Sequence, residues 1–195
     1  MSASVLCMSM SLDGYIAGPN DEPDNPGGDG FARLHDWGVT PEGEFFRPAG
    51  LAGQLIDDMN ATGTVLAGRR TVERIDHWGG DAHGRSVPIF VPSHRPPGPP
   101  VAHYPLVTYV FDGIVSAMAQ AKATAGDRNA MVQGAYTAQL ALEAGVLEEL
   151  VVHQVPVLFG GGCRLFERLP SRVEVEIVRV IDSPDATHIH ERVRR

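Results

Sequence analysis

Three short stretches of the sequence carry the residue types from which anion recognition is built. Gly68-Arg69-Arg70-Thr71 follows a run of apolar residues and stands where a helix would begin, so it gathers free backbone N–H groups, two guanidiniums and a hydroxyl in one place. That set suits a pyrophosphate or a sugar 2'-phosphate, because arginine holds phosphate through paired, charge-assisted hydrogen bonds. Ser93-His94-Arg95 stands just past the next apolar run. In an open α/β sheet the carboxyl ends of strands line the ligand crevice, which makes these residues a second anion contact. Gly134-Ala135-Tyr136-Thr137 repeats the strand-to-helix design with small residues that let phosphates approach the backbone closely. Asp13 follows the first apolar run and is placed to orient a polar substrate. Each stretch also has a plainer reading: an arginine pair on solvated surface, a polar turn before prolines, a tight turn at 134–135, and Asp13-Gly14 as a common turn.

The elements that must position these stretches follow from periodicity and from glycine and proline punctuation. Residues 4–11 read as a buried strand emptying into the Asp13-Gly14 turn. A helix is predicted over 51–61 through Leu51, Leu55 and Met59, with Gly63 as its stop, followed by a strand over 64–67 that runs into Gly68. Strands over 88–91 and 107–111 flank a proline-rich segment that cannot continue either one. A helix over 114–125, with Ile114, Val115, Met118, Ala121 and Ala125 as its apolar positions, ends at Gly126. A strand over 130–132 leads through Gly134 into a helix over 137–144 closed by Gly145. Strands over 150–157, 173–181 and 187–193 follow, with Gly160-Gly161-Gly162 as a sharp loop after which Arg164 can pair with Glu167 or Glu148. Alternating strands and helices predict an α/β fold: a mostly parallel central sheet with helices on both faces and an antiparallel C-terminal hairpin. One domain over 1–195 is expected. Its 18–50 segment, rich in Gly, Pro, Asp and Asn with Phe31, Trp37, Phe45 and Phe46 interspersed, reads as a long ordered lid or partner-contact loop.

Composition narrows the function. The net charge of -8 argues against nucleic acid or an anionic membrane surface as a partner and for small-molecule chemistry. No window approaches the roughly 20 apolar residues of a membrane span. Cys7 and Cys163 are the only cysteines and read as free thiols in a reducing cytosol. Lys122 is the single lysine, so Schiff-base and Walker-type chemistry is disfavoured. His188 and His190 share one face of a strand without a third ligand nearby, and no metal site is expected. The hydrolase elbow, the P-loop and the zinc-deaminase signature are absent from the sequence.

Taken together, Ser11-Leu12-Asp13-Gly14-Tyr15-Ile16-Ala17, Gly68-Arg69-Arg70-Thr71, His94-Arg95-Pro96-Pro97, Asp112-Gly113-Ile114 and GAYTAQLALEAGVLEELVVHQVPVLFGGGCRLFE resemble one family across nearly the whole chain. It is the dihydrofolate-reductase-like family of bacterial reductases that includes the C-terminal reductase domain of the bifunctional riboflavin deaminase-reductase. The resemblance implies NADPH held across the strand ends, with Gly68, Arg69, Arg70 and Thr71 at its phosphates and Ser93, His94 and Arg95 near the adenosine 2'-phosphate. It places Gly134, Ala135, Tyr136 and Thr137 around the pyrophosphate and Ile16 and Ala17 beside the nicotinamide. The implied reaction is hydride transfer to a C=N or C=O bond of a small heterocycle, similar to that of 5-amino-6-(5-phosphoribosylamino)uracil reductase, in a cytoplasmic homodimer. Asp13 is then the first candidate for orienting substrate or assisting protonation, with Asp58 a second. Departures from the family pattern keep two alternatives open: Gln133 and Ala135 replace an acidic residue and a second glycine, and Leu51-Ala52-Gly53 is neutral where folate enzymes place a carboxylate. The alternatives are a non-catalytic nucleotide-binding protein that retains the fold, and a dihydrofolate reductase.

Overall fold

The computed structural model describes residues 2–82, 85–169 and 171–194. In chain order they form β1 (Ser4–Ser11), β2 (Tyr15–Ala17), α1 (Gly53–Asn60), β3 (Thr62–Ala67), α2 (Arg69–Arg74), β4 (Ile89–Pro92), β5 (Val107–Val110), α3 (Gly113–Ala125), β6 (Asn129–Gln133), α4 (Ala135–Glu143), β7 (Glu149–Val155), β8 (Cys163–Arg164), β9 (Val175–Asp182) and β10 (Thr187–Val193). Eight strands hydrogen-bond in the order β5-β4-β3-β6-β1-β7-β10-β9. The pairs β1/β6, β3/β6, β3/β4 and β4/β5 are parallel, and β10 runs antiparallel to both β7 and β9. This is the expected mostly parallel sheet with an antiparallel C-terminal hairpin. By chain contacts the molecule divides into two compact units, one of Met1–Leu6 and Thr62–Glu148, the other of Cys7–Ala61 and Glu149–Arg195.

In the first unit β3 is buried at every position, as a parallel strand covered on both faces must be. Gly63, expected as a helix stop, is instead the second residue of this strand. A Cβ there would lie 2.9 Å from the Cα and Cβ of Ala125, so the glycine lets α3 lie down on β3. The inward face of α3 is Ala117, Met118, Ala121 and Ala125, while Val115 points outward, against expectation. Gly126, at φ 64°, ends α3 as predicted, in a conformation that a side chain would strain.

In the second unit the expected helix starts late. Leu51 lies in a 3-10 turn, Gly50–Ala52, and is exposed, and the stripe buried in its place is Ala52, Leu55 and Ile56. They share a core with Val155, Ile181, Leu34 and Trp37. The last two come from the long segment between β2 and α1, which forms a helical turn at Phe31–Leu34. Burial of two such side chains contributes roughly 1.5–3 kcal/mol each, so this segment is built into the unit and not merely draped over it. A small antiparallel sheet of β2 with β8 was not legible in the sequence.

Candidate functional site

In the first unit, β3 and β6 are parallel neighbours in register at Ala67 and Gln133, so the two strand–glycine–helix turns leave the sheet side by side. Gly68 N–H donates to the Gln133 carbonyl at 3.3 Å. The turns interlock: a Cβ on Gly68 would sit 2.7 Å from Thr137 Oγ1, and one on Gly134 would sit 2.8 Å from Thr71 Oγ1. Gly134 also has φ 92°, a second reason for its type. Neither α2 nor α4 has a side-chain cap or an acidic residue in its first turn. Helix N-termini left in this state present N–H groups and a positive dipole end to an anion. Tyr136 is 70% exposed over the start of α4, while Ala135 and Thr137 are buried.

Arg69 joins this turn to the one after β4. Its Nε donates to Glu73 Oε1 at 2.7 Å, and its Nη1 donates to Ser93 Oγ at 3.1 Å and to the Arg95 carbonyl at 2.8 Å. The Ser93 hydroxyl donates to the same carbonyl at 2.7 Å and accepts from Arg95 N–H at 3.1 Å, which closes the turn on itself. The guanidinium lies 5.8 Å over the Tyr109 ring. Arg70, His94 and Arg95 are exposed beside this cluster in the chain. The structure thus brings Gly68, Thr71, Gly134 and Thr137 together, and joins Arg69 to Ser93 and Arg95. Helix starts without side-chain caps, together with guanidiniums, fit the pyrophosphate and ribose phosphate of a dinucleotide. The Gln133 amide meanwhile turns back to Met131 Sδ at 3.5 Å.

In the second unit, Asp13 sits in the turn after β1 and gathers donors. Oδ1 accepts from Ser11 Oγ at 2.5 Å and from Phe159 N–H at 3.1 Å, and Oδ2 accepts from Gly160 N–H at 2.8 Å. Led by the Ser11 hydroxyl, these bonds hold its pKa down to about 2 against the opposing effect of desolvation. Asp13 is therefore ionised in neutral solution, able to orient a donor by charge but holding no proton to give. Ile16 and Ala17 are buried in β2. Gly162 presses on this strand, since a Cβ there would lie 2.0 Å from the Ala17 carbonyl oxygen. Arg164 does not take the expected glutamate partners: its guanidinium stacks 4.5 Å over the Tyr15 ring, and Nη1 donates to the Asp13 carbonyl at 3.2 Å. Asp58 belongs to a separate group, accepting from Arg179 Nη2 at 2.6 Å, with Arg179 Nη1 donating to Gln54 at 3.3 Å. Asp13 and Asp58 do not share a hydrogen-bond group.

Sequence reasoning passed over two clusters. Tyr109 meets His77 through its hydroxyl, 2.9 Å from Nε2. His153 Nδ1 meets His188 Nδ1 at 2.8 Å in a buried chain that begins at Cys7 Sγ. Strand alternation sets Tyr109 opposite in face to Thr108 and Val110, but nothing local in the sequence announces its partner.

The RibD C-terminal domain model matches residues 4–189. No curated protein matches the chain. Among solved structures, a Shewanella sp. PV-4 protein provisionally named for riboflavin biosynthesis superposes with a TM-score of 0.74 at 24% identity, over 99% of each chain. A diaminohydroxyphosphoribosylaminopyrimidine deaminase/5-amino-6-(5-phosphoribosylamino)uracil reductase from Thermotoga maritima does so at 0.64 and 14%, over 99% of this chain and 57% of its own. A pyrimidine reductase-like protein from Corynebacterium diphtheriae gives 0.61 and 11%, over 100% of this chain and 92% of its own. At these identities the structural likeness is one of fold. The family match covers almost the whole length and coincides with the motifs that carry the paired strand–glycine–helix turns, and so this chain belongs to the RibD C-terminal domain family.

Proposed function

We propose that this protein is an NADPH-dependent reductase acting on a C=N or C=O bond of a small heterocycle, in the manner of the uracil reductase named for the Thermotoga maritima protein. The observation that carries the reading is the interlocked pair of uncapped helix starts at Gly68 and Gly134, together with the Arg69–Ser93–Arg95 cluster. Gly68, Thr71, Gly134, Ala135, Tyr136 and Thr137 would hold the pyrophosphate, and Arg69, Arg70, Ser93, His94 and Arg95 the adenosine phosphate. Ile16 and Ala17 are carried over as nicotinamide neighbours on the family resemblance alone. A nicotinamide bound there would supply a hydride to the carbon of the C=N or C=O bond, and the nitrogen or oxygen would take its proton from water, since Asp13 is ionised. What the chain's own residues contribute is orientation and charge: Asp13, fixed as a carboxylate, accepts a hydrogen bond from a substrate N–H or O–H. Asp58, neutralised by Arg179, is the weaker candidate.

No acidic residue stands in the first turn of α1, which disfavours a dihydrofolate reductase. Homodimer assembly and a cytoplasmic setting are carried over with the family. The free thiols of Cys7 and Cys163 suit that setting, and no helix among the described residues is long and apolar enough to cross a membrane.

Incubating the protein with NADPH and a panel of heterocyclic imines and carbonyls, including a phosphoribosylaminouracil, and following loss of the reduced nicotinamide's absorbance tests the reading. Oxidation with a pyrimidine member is expected. Saturable binding without oxidation of any member would favour the non-catalytic alternative.

A further inference from the structure

α2 does not run straight into the next segment. It is followed by a turn, Asp76–Gly80, in which Asp76, His77 and Trp78 have φ of 45°, 54° and 53° and Gly79 has 66°. Three consecutive non-glycine residues in the left-handed region are costly, and such a conformation persists only where its surroundings over-determine it. The surroundings are specific. The Tyr104 hydroxyl donates to Asp76 Oδ2 at 2.7 Å, and Gly80, at φ 87°, packs so closely that a Cβ would lie 2.5 Å from the Tyr104 ring. What the turn delivers is one imidazole: His77 is 5% exposed, its Nε2 lies 2.9 Å from the Tyr109 hydroxyl, and its Nδ1 lies 4.0 Å from Asp76 Oδ1.

Burial lowers the His77 pKa and favours the neutral ring. His77 Nδ1 is buried with no hydrogen-bond partner among the described residues, and with the ring proton on that nitrogen Nε2 accepts from the Tyr109 hydroxyl. A phenol that donates its proton in this way has a more electron-rich ring, and the face of that ring lies under the Arg69 guanidinium. Glu73 holds Arg69 Nε, Ser93 and Arg95 hold Nη1, and Tyr109 supports the plane, leaving Nη2 without a hydrogen-bond partner among the described residues.

We infer that Tyr109, fixed by His77 at the left-handed turn, is a positioning residue for Arg69 and thereby a determinant of the preference for a nucleotide that carries a phosphate on its adenosine ribose. The inference rests on the proposed cofactor reading and deepens it. NADPH and NADH differ by that phosphate alone, so a misplaced Arg69 weakens the one and spares the other.

The test is fluorescence titration of NADPH and NADH into the wild-type protein and into Tyr109→Phe, Tyr109→Leu, Arg69→Ala and the Arg69→Ala/Tyr109→Leu double variant, with circular dichroism to verify folding. From the usual strength of cation–π support, Tyr109→Leu is expected to raise the Kd for NADPH about tenfold and Tyr109→Phe about threefold. Both should leave the Kd for NADH within about twofold, and Tyr109→Leu should add nothing in the Arg69→Ala background. Equal weakening of both nucleotides, additivity with Arg69→Ala, or an unchanged preference in a folded Tyr109→Phe and Tyr109→Leu pair would overturn the inference while leaving the cofactor reading in place. Wild-type protein that binds neither nucleotide, or both alike, would overturn the cofactor reading and the inference with it.

Discussion

Asp13, the residue proposed to orient the substrate, also has a structural task. Its two oxygens tie the turn after β1 to the backbone at Phe159 and Gly160, so the charge that would orient a substrate also fixes the loop around it. An amide in its place keeps one accepting oxygen and loses the charge. Charge-assisted hydrogen bonds contribute about 1.5–3 kcal/mol, so Asp13→Asn is expected to lower kcat roughly tenfold to a hundredfold. Its Kd for NADPH should stay within about twofold, because the proposed phosphate contacts lie on other residues. Steady-state kinetics alongside a cofactor titration separates the two effects, and unchanged turnover would remove Asp13 from the mechanism. Since its pKa is held to about 2, Asp13 is already charged throughout the neutral range, and no loss of activity there stems from its protonation.

At the scale of elements, β7 and β10 carry a titratable pair into the core. Cys7 Sγ lies 3.4 Å from His153 Nε2, the two Nδ1 atoms of His153 and His188 lie 2.8 Å apart, and His188 Nε2 lies 3.1 Å from Ser183 Oγ. Trp37 closes over both rings at 4.2 and 4.9 Å and donates its indole N–H to Ser9 Oγ. One hydrogen between the two Nδ1 atoms satisfies both, whereas two cationic rings would oppose N–H to N–H. Burial, before any other cause, lowers the His188 pKa to about 4 and that of His153 well below its ordinary value. Both depressed histidines favour the folded state in its neutral form. Stability is therefore undiminished above the ordinary value of 6.5 and falls as pH drops below it, because the unfolded chain takes up protons there that the buried pair refuses. Thermal melting between pH 7 and pH 5 should show a fall of several degrees, flattened in His188→Gln. A melting temperature constant over that interval would contradict the assignment of neutral rings.

The same elements show what a sequence can declare. β1, β10 and the glycine stops of α3 and α4 were legible because apolar runs and left-handed glycines are local signals. The two strand–glycine–helix turns were legible for the same reason. Gly63 was misread because its small size answers to Ala125, and Leu51 because the helix begins after a 3-10 turn that no periodicity marks. The pairing of β2 with β8 and the meeting of His77 with Tyr109 depend on residues distant in sequence, and the left-handed turn runs against local propensity.

For the whole molecule, a net charge of -8 opposes an anionic cofactor at long range. Binding of the proposed cofactor would therefore rest on a local reversal of sign, for which Arg69, Arg70 and Arg95 with two helix starts are the candidates. Family membership and fold are established by the match over residues 4–189, while the cofactor reading stands on that local charge. The most direct measurement is a titration of the purified protein with NADPH and with NADH, followed by quenching of Trp37 and Trp78 fluorescence, on the wild type and on Arg69→Ala/Arg70→Ala. The account predicts saturable binding with a clear preference for NADPH that the double substitution abolishes. Absence of binding by either nucleotide, or a preference that survives loss of both arginines, would contradict it.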